Sequence, residues 1–197
     1  AAVAAETEAI AREACRLIRV QYEPLQPLLD PIQSMEDGEH LLHEDFSNYV
    51  LGSATPVPGT NICSHYKLRK GDMEKGFAEA DAIVERTYQT SQIQHTPLEP
   101  HVCYAHVESG RLVLNCATQV PYHVRRIVSW VCGIPENKIH VIKERVGGGY
   151  GSKQDILVEE LTGYAAWITK KPVYYRNTRA EEFYANSTRH PMRVHVK

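Results

Sequence analysis

No apolar run in this chain approaches the ~20 residues that a membrane-spanning helix needs. The first residues, Ala1-Ala2-Val3-Ala4-Ala5-Glu6, have neither a basic start nor a long apolar core, so they do not read as a signal peptide. Neither sign of charge dominates: 22 Lys and Arg against 24 Asp and Glu leave a net charge of −2, which supplies no basic field for nucleic acid. Cysteine is sparse and dispersed at Cys15, Cys63, Cys103, Cys116 and Cys132. No C-x-x-C pair occurs, which argues against a zinc knuckle or an iron–sulfur ligand set. The thiols fit a reducing, cytoplasmic setting and are expected to be buried fillers. Internal repeats and low-complexity segments are absent too. What is present is ordinary globular composition, 43% hydrophobic and 23% charged over 197 residues, enough for one good core or two small domains.

The pattern along the chain is mixed. A short strand is expected over Ala2 to Glu6. A helix over Glu8 to Ile18 follows, capped by Thr7, with Ile10, Ala14, Leu17 and Ile18 on its apolar face. Arg19 to Glu23 alternates like a strand and stops at Pro24. Residues 31–60 are poorly patterned and read as a connector. Asp72 caps a short helix ending near Ala80, and Ala82 to Thr90 reads as a long strand. Val102 to Val107 and Arg111 to Cys116 form a hairpin about Glu108-Ser109-Gly110. Pro121 opens a helix with apolar Val124, Ile127, Val128 and Val131, stopped by Gly133 and Pro135. A strand over Ile139 to Lys143 leads into a glycine loop. A helix then runs over Asp155 to Thr169, with Ile156, Leu157, Leu161, Tyr164 and Ile168 on one side. Val173 to Arg176 and Met192 to Val196 are further strands. Ala1 and Lys197 both fall in strand-like runs and no Met opens the chain, so a piece of a larger polypeptide is expected.

The loop Gly147-Gly148-Gly149-Tyr150-Gly151-Ser152-Lys153 is the first candidate for a working site. Glycine loses the most freedom on folding, and such density occurs where backbone bends sharply or approaches a ligand. At a strand-to-helix junction its amides favour an anion or an oxo group. A Walker phosphate loop fits poorly, because Ser152 precedes Lys153 and Gln154 stands where the magnesium-binding hydroxyl is needed. A dinucleotide fingerprint begun at Gly147 or Gly149 meets Ser152 or Gln154 at its last glycine. A nucleotide-binding module, or a tight turn with no ligand, are the competing readings.

Several segments, taken in order, resemble the molybdenum hydroxylases, the xanthine dehydrogenase and aldehyde oxidase family. The loop itself is similar to that family's G-G-G-F-G-x-K. Gly71 to Asp81 looks like its G-D-x-x-x-G-F-x-x-A-D helix, Gln94 to Pro100 like its Q/E-H-x-x-L-E-P/T stretch, Ala117-Thr118-Gln119 like its S/A-T-Q turn, and Arg189-His190-Pro191 like a later motif. The opening β-α-β with Tyr22-Glu23-Pro24-Leu25 is similar to the end of the family's α/β hammerhead domain.

The resemblance implies an α+β fold: a partial hammerhead and connector over residues 1–60, then the first part of a mixed-sheet molybdopterin-binding domain over 61–197. It implies a molybdenum–molybdopterin cofactor, with iron–sulfur clusters and FAD on partner domains or subunits. The reaction implied is hydroxylation of a purine or related N-heterocycle with oxygen from water, or oxidation of an aldehyde or carbon monoxide. Gln119, Gly149, Tyr150 and Gly151 fall at cofactor-binding positions, with Gln119 and Tyr150 beside the metal but not ligating it. The family usually has Phe at the position of Tyr150, and a buried hydroxyl there would need a partner. Gln154 falls at a substrate-reading position, where an amide keeps donors and an acceptor without charge. The stretch holding His95 and Glu99 is architectural in the family. Lys153 reads as a solvated helix-start residue and Asp155 as a partner of the helix dipole. His101, His106 and His140 read as ordinary strand histidines. The general base and a substrate-orienting arginine of the family lie beyond Lys197, so no catalytic residue is expected in the chain and the isolated chain is expected to be inactive.

Overall fold

The computed structural model describes residues 1–49 and 54–197. Residues 50–53, within the connector expected over 31–60, lie outside the described residues. The chain divides into two compact units, one of Ala1–Leu17 with Val84–Lys197 and one of Ile18–Ile83.

The smaller unit holds α2 (Pro31–Glu36) and α3 (Met73–Ala78); α1 (Glu8–Leu17) belongs to the larger one. Asp30 caps α2, its carboxylate accepting from the amides of Ile32 at 2.8 Å and Gln33 at 2.9 Å, and Pro31 sits where its missing N–H costs nothing. Asp72 caps α3 through the Lys75 amide at 3.0 Å. Asn61 ties the loops together, donating to the carbonyls of Ser34 and His40 and accepting from the Leu42 amide.

The larger unit is built on a four-stranded mixed sheet in the order β4 (Ile139–Ile142), β3 (Arg111–Cys116), β2 (Val102–Glu108), β5 (Val173–Arg176). The hairpin β2–β3 and the pair β2–β5 are antiparallel; β3–β4 is parallel, the crossover being α4 (Pro121–Cys132). Pro121 stands at the start of α4 and Gly133 ends it in the left-handed conformation, φ 65°. A separate two-stranded ribbon pairs β1 (Arg86–Gln89) with β6 (Arg193–Val196). The core lies between one face of the large sheet and two helices. Cys103 and Ala105 of β2 and Leu112 and Leu114 of β3 meet Val124 and Val128 of α4 and Ala166 of α5 (Glu159–Thr169). A side chain at Gly163 of α5 would come within 3.2 Å of Leu114 and 3.3 Å of Leu112, so glycine there lets helix and sheet approach closely. The last helix, α6 (Arg179–Ala185), is set by a capping box between Thr178 and Glu181.

Several elements differ from the sequence pattern. Ala2 to Glu6 and Arg19 to Glu23 form no strand; Val20 and Tyr22 are exposed, and a strand persists only where a neighbour takes its backbone hydrogen bonds. Of the strand expected over Ala82 to Thr90, only Arg86–Gln89 forms strand, with the Thr90 amide continuing the pairing to the Met192 carbonyl at 2.9 Å. α1 forms as expected, but it buries none of its residues. The helix expected from Asp155 begins at Glu159, because Ser152–Gln154 is a short 3-10 turn and Asp155 is extended. Its buried side is Thr162, Gly163 and Ala166, while Leu161, Tyr164 and Ile168 face outward, since only small residues fit against the sheet at this spacing. Cys103 and Cys116 are buried as expected, but Cys15 and Cys63 are exposed. Among the described residues no helix is long and apolar enough to cross a membrane.

Candidate functional site at the glycine loop

β4 delivers the chain to the loop at one end of the sheet, and β3 delivers Ala117-Thr118-Gln119 to the same end, because the two strands are parallel neighbours. The loop and Gln119 therefore lie side by side. The Gly151 amide donates to Gln119 Oε1 at 3.2 Å, and the Gln119 amide donates to the Lys153 carbonyl at 2.8 Å. A Cβ on Gly149 would stand 2.5 Å from Gln119 Oε1, a distance real side chains do not adopt, so glycine is required for this approach. Gly148, Tyr150 and Gly151 have φ of 98°, 57° and 99°. For Tyr150 that conformation costs about 1–2 kcal/mol, and residues held this way concentrate at ligand clamps and active sites. Tyr150 as a whole is 76% exposed, so the residue is not a buried tyrosine whose hydroxyl would need a protein partner.

The loop is anchored on all sides. The Gly147 amide donates to Glu99 Oε2 at 2.8 Å, and the Glu99 amide returns a bond to the Gly147 carbonyl at 3.0 Å. Ser152 closes the turn, its amide and hydroxyl both donating to the Gly149 carbonyl, at 3.0 and 2.8 Å. Lys153 is not solvated: its side chain is fully buried and its ammonium is 2.5 Å from Glu99 Oε2. A lysine committed in this way does not reach a nucleotide phosphate, which removes the mechanical basis of the Walker-type reading.

Behind the loop lies a buried polar network that the sequence pattern did not reveal. His101 Nδ1 faces both oxygens of Glu182 at 3.0 Å, and its Nε2 faces the Ser152 carbonyl at 3.2 Å. Glu182 also accepts from the His101 amide at 2.7 Å, from Asn177 at 3.1 Å and from Asn186 at 3.3 Å. Burial pushes the Glu182 carboxyl up, but the His101 amide, the imidazole and the Asn177 amide outweigh it and hold the group below the usual carboxylate range. His101 is thus a support of the loop rather than an ordinary strand residue. The two partners are 81 positions apart in sequence, with no motif joining them; the Thr178–Glu181 capping box that builds α6 was the one local signal pointing to this region. His106 and His140 stay on strands away from this network. Asp155 is bonded to the Ser187 hydroxyl, and Gln154 is exposed at the end of the 3-10 turn.

The donor set suits an oxygen-rich anionic group. Among the described residues the amides of Gly148, Gly149 and Tyr150 meet no protein acceptor, and the Gln119 NH2 group likewise has none. His95 places Nε2 3.8 Å from where a Gly151 Cβ would be, and its Nδ1 is buried without a partner. Neutral donors beside backbone that leaves no room for a Cβ at Gly149 fit the oxygens of a metal–pterin group. Among the described residues no group of three His, Cys, Asp or Glu could hold a bare metal ion.

Fold and loop together define a cofactor-binding domain: an α+β unit whose strand ends present backbone amides and a neutral carboxamide. The chain belongs to the molybdopterin cofactor-binding domain family, which matches residues 55–197. It is 43% identical over 220 aligned positions to the probable hypoxanthine oxidase XdhD of Escherichia coli (strain K12), covering 100% of this chain and 23% of that protein. Among solved structures it resembles reconstituted CO dehydrogenase from Oligotropha carboxidovorans, at 31% identity and a TM-score of 0.73, over 92% of this chain and 23% of that one. The fold is shared also with the aldehyde oxidoreductase from Desulfovibrio desulfuricans, at 22% identity and a TM-score of 0.81, over 97% of this chain and 20% of that one. The chain thus spans about a quarter of the length of these relatives.

Proposed function

We propose that this chain forms one wall of the active site of a xanthine dehydrogenase-like molybdenum hydroxylase acting on a purine or a related N-heterocycle. The observation that carries the proposal is the meeting of Gln119 with Gly149 and Gly151, where the Gly151 amide orients the carboxamide at 3.2 Å and a Gly149 side chain has no room. When bound, molybdenum–molybdopterin supplies two-electron oxidation together with transfer of an oxygen derived from water. Gln119 would donate to it through the NH2 group left open once Oε1 is engaged. Gly149 and Gly151 would bring backbone close, and Tyr150 would pack beside the metal with no direct ligation. Gln154, exposed one turn away, would read the edge of the heterocycle by hydrogen bonding. The likeness along the whole chain to a probable hypoxanthine oxidase supports the purine reading.

The same proposal divides the chain into the end of a hammerhead domain with a connector over 1–60 and the start of the molybdopterin-binding domain over 61–197. It assigns iron–sulfur and flavin partners to carry electrons away, in a cytoplasmic enzyme, and it leaves the general base to the rest of that enzyme. The test is metal analysis of the full-length protein, with turnover of hypoxanthine, an aldehyde and carbon monoxide measured against an artificial electron acceptor. Stoichiometric molybdenum and hypoxanthine oxidation are expected. Preference for an aldehyde or carbon monoxide would move the protein to those branches, and absence of molybdenum would overturn the assignment.

A further inference from the structure

Glu99 and Lys153 are 54 positions apart in sequence, yet one oxygen of Glu99 serves both ends of the glycine loop. Oε2 accepts the Gly147 amide at 2.8 Å and the Lys153 ammonium at 2.5 Å. The Glu99 amide completes a second bond to the Gly147 carbonyl at 3.0 Å. Gly147 is pressed so closely on Glu99 that a Cβ there would lie 2.6 Å from the glutamate Cβ. A fully buried ammonium is unfavourable unless paired, and a purely structural site of this size is as well filled by apolar groups. A charge pair here instead fixes geometry: two charge-assisted bonds converge on a single atom and hold the loop's entry and exit together. Between those points lie the open amides of Gly148, Gly149 and Tyr150 and the Gly151 bond to Gln119.

We infer that the Glu99–Lys153 ion pair is a clasp that shapes the Gly147–Gly151 loop before the cofactor arrives, making both residues positioning residues for cofactor capture rather than parts of the chemistry. The inference rests on the reading of this loop as the cofactor cradle. Pre-formed donors bind more tightly because less ordering remains to be done on binding, so loosening the clasp weakens retention of the cofactor while the sheet beneath keeps its structure.

The test uses the full-length enzyme, with Lys153→Met and with the double variant Lys153→Met/Glu99→Gln, which leaves no unpaired charge and so keeps the fold measurable. Amide hydrogen exchange in the cofactor-free protein is expected to rise at least tenfold at Gly147, Gly151 and Ser152, the loop amides that have protein acceptors, with the amides of Leu112 to Leu114 as an unchanged internal reference. Molybdenum per chain is expected to fall at least fivefold, and the remainder to give a shifted Mo(V) resonance as Gln119 and Gly151 are displaced. The clasp is overturned if loop exchange is unchanged, if it rises only in step with the core strands, or if the loop loosens while molybdenum content and resonance stay as in the wild type. A wild-type enzyme devoid of molybdenum would instead defeat the functional reading, and the exchange measurement would still decide whether the clasp exists.

Discussion

In the proposed role Gln119 would suit an oxo-bearing cofactor because it is neutral and already half engaged: Gly151 donates to Oε1, which leaves the NH2 group to donate. Gln119→Glu keeps the shape and the acceptor but removes the donor and adds a charge that repels oxygen ligands. In the full-length enzyme kcat/KM per molybdenum is expected to drop about 100-fold or more, the size found for loss of one pre-organised donor, with the melting temperature little changed. Glu182 acts through structure instead. Its folded-state carboxyl lies below the ordinary value, so the stability it contributes is present above the unfolded value of about 4.3 and is lost as pH falls through the lowered folded one. Glu182→Gln is therefore expected to lose about 2–3 kcal/mol at pH 7, as for hydrogen bonds to a charged group. Denaturation curves of variant and wild type should converge as pH falls below about 4. Equal stability at pH 7 would show that the His101 network is not a support.

At the scale of elements, local signals served well wherever the chain punctuates itself. Pro121 and Gly133 bracket α4, Asp72 starts α3, and Ser109-Gly110 turns the β2–β3 hairpin, all as the residues suggest. Periodicity was less reliable where packing distance decided. α5 presents Thr162, Gly163 and Ala166 to the sheet and leaves its larger apolar residues outside, because the close approach to Leu112 and Leu114 admits nothing bigger. Gly163→Val is expected to destabilise by about 1–3 kcal/mol through overpacking, measured as a lowered urea midpoint with an unchanged slope. The run after the glycine loop misled in the same way. Asp155 to Val158 continues the apolar spacing of the helix, but Asp155 is extended after the 3-10 turn Ser152–Gln154 and the helix starts only at Glu159.

The whole molecule exposes much apolar surface. Tyr122, Trp130 and Val131 on α4, Leu161, Tyr164 and Ile168 on α5, and Leu17 on α1 all face outward. β4 and β5 each have a neighbour on one side only within the described sheet. Patches and open edges of this kind drive association. Residues 1–197 produced alone are expected to self-associate over a concentration series in light scattering, to carry no stoichiometric molybdenum and to oxidise no purine. A monodisperse monomer that binds molybdenum and turns over would contradict this. α1 joins the unit built on the large sheet, although 66 residues, Ile18–Ile83, intervene before that unit resumes.

Glycine density, the order of short motifs and the caps of α3 and α4 were legible in the linear chain because each is a local demand: a φ that only glycine adopts freely, an orphan amide that wants an acceptor, a turn that wants a small residue. The glycine loop was a candidate on those demands alone, whereas the family and the candidate role of Gln119 came from the resemblance of the ordered motifs. Three-dimensional packing alone revealed that Lys153 is buried, that Glu99 grips the loop at both ends, and that His101 and Glu182 stand behind Ser152. Each of these depends on side chains tens of positions apart meeting in a space from which water is excluded. The strength and even the sign of a charge's contribution depend on that exclusion, and no local pattern of residues encodes it.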